Sequence, residues 1–168
     1  SICDGSSAIL TASGTPNYTW SPGTGLSATT GTSVTANPAT TTSYTVIGTD
    51  GNGCTNSAVA TVTVNPPPTI TVNSPTICSG TSATLTGVGG TSYSWSTGFA
   101  GNPLVVSPLS TTSYTVTGTD VNGCANTAVA TVTVGPGLAI TVSPSPANLC
   151  IGSTISLTAS GGATYSWS

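Results

Sequence analysis

The chain has no lysine, arginine or histidine among its 168 residues, and its only acidic residues are three aspartates. These absences exclude a great deal. Without imidazole or amine there is no ordinary general base and no lysine nucleophile, so no serine in the chain has a base to activate it. Without cations there is nothing to neutralise phosphates, which excludes nucleic acid as a partner and disfavours anionic membrane surfaces. No apolar run approaches the roughly 20 residues that span a bilayer, so membrane insertion is not expected. The same deficit removes every trypsin cleavage site and leaves a formal net charge of −3.

Low charge accompanies some disordered chains, but this chain is rich in Val, Ile and Thr, with Trp and Tyr at regular places. Serine and threonine make up roughly a third of the residues, far above ordinary usage. Threonine favours extended backbone while its hydroxyl keeps an exposed face wetted. The composition predicts β-sheet covered by hydroxyls in place of charges.

The sequence repeats. Cys3, Cys78 and Cys150 each lie 17 residues before a tryptophan, at Trp20, Trp95 and Trp167. A tyrosine stands two positions before each, at Tyr18, Tyr93 and Tyr165. Tyr44 precedes Cys54 by ten residues, as Tyr114 precedes Cys124. The repeat length of 70 to 75 residues gives domain limits of 1–66, 67–136 and 137–168, separated at "NPPP" and "GPG". The first unit is expected to lack its opening strand, and the third to hold only its N-terminal part.

In the second unit, alternating runs at 69–72, 82–86, 92–96, 104–107, 112–119 and 127–134 read as strands. In "AVATVTV", Ala58, Ala60, Val62 and Val64 fall on one face and Val59, Thr61 and Thr63 on the other. "TDGNG" and "TDVNG" join two such runs as hairpin turns, with Asn-Gly supplying positive φ. No stretch shows a helical period. The expected fold is all-β, a tandem array of small Ig-like Greek-key β-sandwiches.

Several residues carry candidate chemistry. Cys3 precedes the first long strand and Cys54 stands at the last turn, two places that can meet at one end of a sandwich. Disulfides Cys3–Cys54 and Cys78–Cys124 are therefore expected, with the partner of Cys150 outside the chain. Each would close a loop of about 50 residues, worth on the order of 4 kcal/mol. The rival, a metal site, lacks both Cys-x-x-Cys spacing and histidine, and no metal or cofactor is expected. Asp50 and Asp120 resemble parts of calcium loops, yet each turn offers one carboxylate, and the simpler reading is an Asp bonded to its own turn backbone. The expected disulfide would bring Asp4 beside Asp50, but the second and third units have Ser79 and Ile151 in place of Asp4, which argues against a catalytic pair. Trp20, Trp95 and Trp167 are expected in the cores with Tyr44 and Tyr114, rather than as sugar-stacking platforms. Asn17 begins an N-x-T sequon, and Thr40, Thr41 and Thr42 are candidate O-glycan acceptors.

The stretch "WSPGTGLSATTGTSVTANPATTTSYTVIGTDGNGC", followed by "AVATVTV", resembles the tandem Ig-like or PKD-like repeats of giant Bacteroidota surface adhesins. Gliding-motility adhesins exported by the type IX secretion system are the best-known members. That resemblance implies a cell-surface location and a role in adhesion or movement over surfaces, and it assigns no binding residue. The expectation is a non-enzymatic stalk or filament segment of an extracellular adhesin. Its partners would be neighbouring repeats, like chains in a filament, and an unidentified surface or glycan target. The alternatives are a self-assembling filament subunit and a carbohydrate-binding module.

Overall fold

A computed structural model describes all 168 residues. The chain folds entirely as strands and turns, in two successive β-sandwiches followed by a short strand pair.

The first sandwich contains β1 (Ile2–Cys3), β2 (Ala8–Thr11), β3 (Asn17–Ser21), β4 (Ser33–Ala36), β5 (Thr42–Thr49), β6 (Thr55–Val62) and β7 (Val64–Asn65). β2 and β4 pair antiparallel as one layer, and β3, β5 and β6 form the other. Alternation builds the interior. Tyr18 and Trp20 on β3, Tyr44 and Val46 on β5, and Val34 and Ala36 on β4 all point inward and are buried. On β6 and β7, Ala60, Val62 and Val64 turn toward the core while Val59, Thr61 and Thr63 face solvent. The Trp20 indole N–H donates to the Gly31 carbonyl at 2.9 Å, so the ring is buried without an orphaned donor.

The second sandwich contains β8 (Thr71–Val72), β9 (Thr76–Cys78), β10 (Ala83–Leu85), β11 (Gly87–Val88), β12 (Ser92–Trp95), β13 (Leu104–Val106), β14 (Thr112–Thr119) and β15 (Ala125–Gly135). Its layers repeat the first: β10 pairs β13, and β12, β14, β15 and β9 form a four-stranded sheet. Leu85, Trp95, Leu104, Val116 and Val132 fill the space between them. Trp95 donates to Gly101 as Trp20 does to Gly31, again at 2.9 Å. β9 and β11 are too short to show alternation and do not stand out in the sequence.

One difference separates the sandwiches. In the second, β8 pairs with β11 and lays Ile70 over Gly118, where an added Cβ would collide with the Ile70 side chain. In the first, the matching place is an open groove of about 560 Å3 bordered by Tyr18, Val46, Gly48 and Ala58.

Residues 137–168 hold β16 (Thr141–Ser143) and β17 (Thr158–Ser160), paired antiparallel. They contain no buried core residue. Trp167, expected in a core, is 59 % exposed, because no strands within 137–168 correspond to the β14 and β15 that cover Trp95. Tyr114 is half-buried against the second core instead of fully enclosed.

Candidate functional site

The feature that sets this chain apart lies where the two sandwiches meet, and the short strand β1 places it. β1 runs parallel to the final strand of its own unit, with Ile2 opposite Val64 and Cys3 opposite Asn65. The Ile2 amide donates to Thr63 O at 2.9 Å and the Asp4 amide to Asn65 O at 3.0 Å. Because β1 pairs with the last two residues before the linker, Cys3 sits at the exit of the first unit, beside Asn65-Pro66-Pro67-Pro68.

The second half comes from the β14–β15 hairpin. Asp120 Oδ1 accepts from the amides of Asn122 and Cys124, each at 2.9 Å, and the Asp120 amide donates to Cys124 O at 2.9 Å. Gly123 closes the turn at φ 80°, in the left-handed region that glycine adopts without a Cβ penalty. This lattice fixes Cys124 at the entrance of the second unit. The first unit builds the same turn around Asp50, whose Oδ1 accepts from Asn52 and Cys54 at 2.8 and 2.9 Å. In both units one aspartate oxygen thus serves the turn itself.

Cys3 and Cys124 are joined in a disulfide across the junction. Cys54, Cys78 and Cys150 are free and exposed. The pairing expected within each unit, Cys3 with Cys54 and Cys78 with Cys124, is thereby corrected. The reason is where β1 pairs along the last strand. Cys54 stands just before β6 and Cys3 lies opposite Asn65, 11 residues further along that edge. At about 3.3 Å per residue, the two ends are roughly 36 Å apart. Cys78 lies opposite Gly135 in the second unit, equally far from Cys124 at the start of β15. With Cys3 bound at the exit, Asp4 goes with it and does not join Asp50 at the entrance.

Further contacts complete the junction. The Asn126 side-chain amide donates to Pro68 O at 3.0 Å, and Cys124 Sγ lies 3.9 Å from Asn65 O. Cys124 is 1 % exposed, while its counterpart Cys54 stands open to solvent.

The remaining candidates fall outside this site. Trp20 and Trp95 are each 4 % exposed and present no platform for a ring to stack on. Tyr44 is fully buried, its hydroxyl donating to Thr24 O at 2.9 Å, and burial pushes its pKa above the usual tyrosine value, partly offset by the Thr42 side chain. Asn17 is exposed on β3, an outer strand of its sheet. Thr40 is exposed, whereas the Thr41 hydroxyl accepts from the Val64 amide at 3.1 Å and the Thr42 hydroxyl donates to Thr40 O at 2.7 Å. Thr41 and Thr111 play the same part, each taking the amide at the end of a last strand, Val64 and Val134.

No family model matches the chain, and comparison with curated proteins finds no match. Among solved structures, it is similar to the N-terminal four Ig domains of Dscam1 isoform 4.4, at 15% identity and a TM-score of 0.32. That match covers 80% of this chain and 41% of the other. It is also similar to the Bacteroides ovatus mixed-linkage glucan utilization locus protein SGBP-B in complex with mixed-linkage heptasaccharide, at 18% identity and a TM-score of 0.23. Here 80% of this chain and 43% of the other are covered, so the chain spans less than half the length of either structure.

Proposed function

We propose that the chain is a load-bearing segment of an extracellular bacterial surface adhesin, a non-enzymatic stalk of β-sandwiches linked end to end. The observation that carries this reading is the Cys3–Cys124 bond. Two covalent connections run between the units: the peptide through Pro66–Pro68, and the disulfide. A single tether allows bending and twisting, while two at different points restrain both. Tension on the array is shared between the last strand of the first unit and β1 beside it. The triple proline stiffens the first path, since it favours extended polyproline II.

Several observations agree with a stalk outside the cell. A disulfide persists in oxidising surroundings. The hydroxyl-covered surface carries few charges for salt to screen, so its behaviour is expected to vary little with ionic strength. The adhesin-like repeat pattern supplies the finer assignment, to a Bacteroidota surface adhesin of the gliding-motility type.

Small-angle scattering tests the shape. Two units in line, each with a last strand edge of about 36 Å, give a maximum dimension of roughly 80 Å, whereas a compact 168-residue particle has a radius of gyration near 15 Å and spans about 40 Å. The elongated value is expected, and the compact one overturns the stalk.

A further inference from the structure

The Cys3–Cys124 bond spans a sequence separation of 121 residues. It closes residues 4–123 into a loop that begins and ends at one point, the disulfide itself. That loop holds the first sandwich beyond β1, the Pro66–Pro68 linker, and every strand of the second sandwich except β15. Backbone tension that arrives before Cys3 therefore crosses directly to Cys124 and leaves along β15. The last strand of the first unit shares that load only through its hydrogen bonds to β1 and Asp4, which run from Ile2 N to Thr63 O and from Asp4 N to Asn65 O. β15 runs from Ala125 at the entrance of the second unit to Gly135 at its exit, where it pairs with Cys78. Extended backbone pulled from its two ends has little length left to give.

Neither core is built on the bond. The two cores are separate clusters of eight buried residues each, with no member in common. β1 is held to its own unit by those hydrogen bonds and by Ile2, which is buried in the first core. Cys124 is fixed by the Asp120 turn. Beside the disulfide, the junction has the peptide linker, the Asn126 bond to Pro68 O and the approach of Cys124 Sγ to Asn65 O.

From this topology we infer that the disulfide is a redox-set mechanical switch. Oxidised, the joint passes tension across residues 4–123 and leaves both sandwiches unloaded, so the segment does not lengthen. Reduced, the same tension runs through the two sandwiches in series, and each unfolds in turn to lengthen the stalk. Such tension presupposes the stalk, but the shielding depends on the bond and not on the shape. A compact scattering profile and a failed switch are thus separate results.

A dithiol supplies the reducing equivalents. Cys124 is 1 % exposed and Cys3 is half-buried, so the thiolate of the reductant attacks the Cys3 sulfur and expels Cys124 as a thiolate. The second thiol of the reductant then attacks the reductant's own sulfur in the mixed disulfide and releases Cys3. Two electrons pass to the protein, both cysteines take up protons, and the dithiol leaves as a cyclic disulfide.

Single-molecule force extension tests the switch on the full chain, held by peptide tags at its two ends with the free thiols Cys54, Cys78 and Cys150 alkylated. Residues 137–168 lie outside the loop and extend alike in both states. In the oxidised protein no sandwich should unfold. After dithiothreitol the chain should lengthen by roughly 400 Å more, in two steps of about 200 Å, one for each sandwich. Cys3→Ser, without reductant, should show the same two steps. Steps of that size in the oxidised protein overturn the inference, and so does a reduced protein that extends no further than the oxidised one. Extension of the reduced protein without steps overturns it as well, because the sandwiches would then need the bond to stay folded.

Discussion

Cys3 and Asn65 face one another across a parallel strand pair, and that single register decides what the cysteines of this protein do. Had β1 paired beside the start of β6, Cys3 would have met the hairpin of its own unit, and the disulfide would have stapled one sandwich. Paired beside Val64 and Asn65, it delivers the thiol to the exit, where the Asp120 turn of the next unit presents Cys124. The bond therefore governs the geometry between units more than the fold within one.

The Asp120 turn should matter to linkage as well as to stability. Asp120→Ala removes the acceptor of two backbone amides and is expected to destabilise the second unit by about 1.5–3 kcal/mol. It should also lower the yield of the Cys3–Cys124 bond on refolding, because Cys124 is no longer held at the entrance. Asp50→Ala should cost the first unit a similar amount and leave that yield unchanged. Denaturant unfolding with thiol quantification distinguishes the two, and equal losses of linkage would count against the turn as a positioning device.

Alkaline pH should reveal Tyr44. Burial raises its pKa in the folded chain, while the unfolded value is about 10. Above pH 10 the unfolded state releases a proton that the folded state retains, so stability falls as pH rises through the folded pKa. Below pH 10 this contribution is fully present and flat. Tyr44→Phe should flatten the alkaline limb of the first unit's stability profile, and an unchanged limb would show that Tyr44 is not its source.

Tryptophan emission should divide unequally. Trp20 and Trp95 are enclosed and Trp167 is 59 % exposed, so a neutral quencher such as acrylamide should reach one of the three indoles readily. Quenching of all three alike would contradict the two cores described here and revive a sugar-stacking surface.

Much of this architecture is visible in the residues. The alternation in "AVATVTV" marks the buried face of β6 and β7, the Asn-Gly turns mark the hairpins, and the recurring Trp marks the cores of both sandwiches. These signals are local and periodic, and each is long enough to carry a pattern. The cysteine partners are a different matter. β1 has two residues and β9 three, too few to show an alternation, and nothing in them states where along the last strand they pair. That position decides which end of the unit the thiol reaches. Trp167 was legible as part of the repeat but not as exposed, since its burial depends on strands that residues 137–168 do not contain.

One connectivity, that of Cys3, decides how the two sandwiches are joined. Non-reducing peptide mapping after alkylation of free thiols, with an elastase-type protease because trypsin has no site, identifies the partner of Cys3. The expected peptide joins Cys3 to Cys124, with Cys54 and Cys78 of the single chain recovered as alkylated thiols. Recovery of Cys3 joined to Cys54 and Cys78 joined to Cys124 would contradict it, returning each disulfide to its own sandwich and leaving the junction held by the Pro66–Pro68 linker alone.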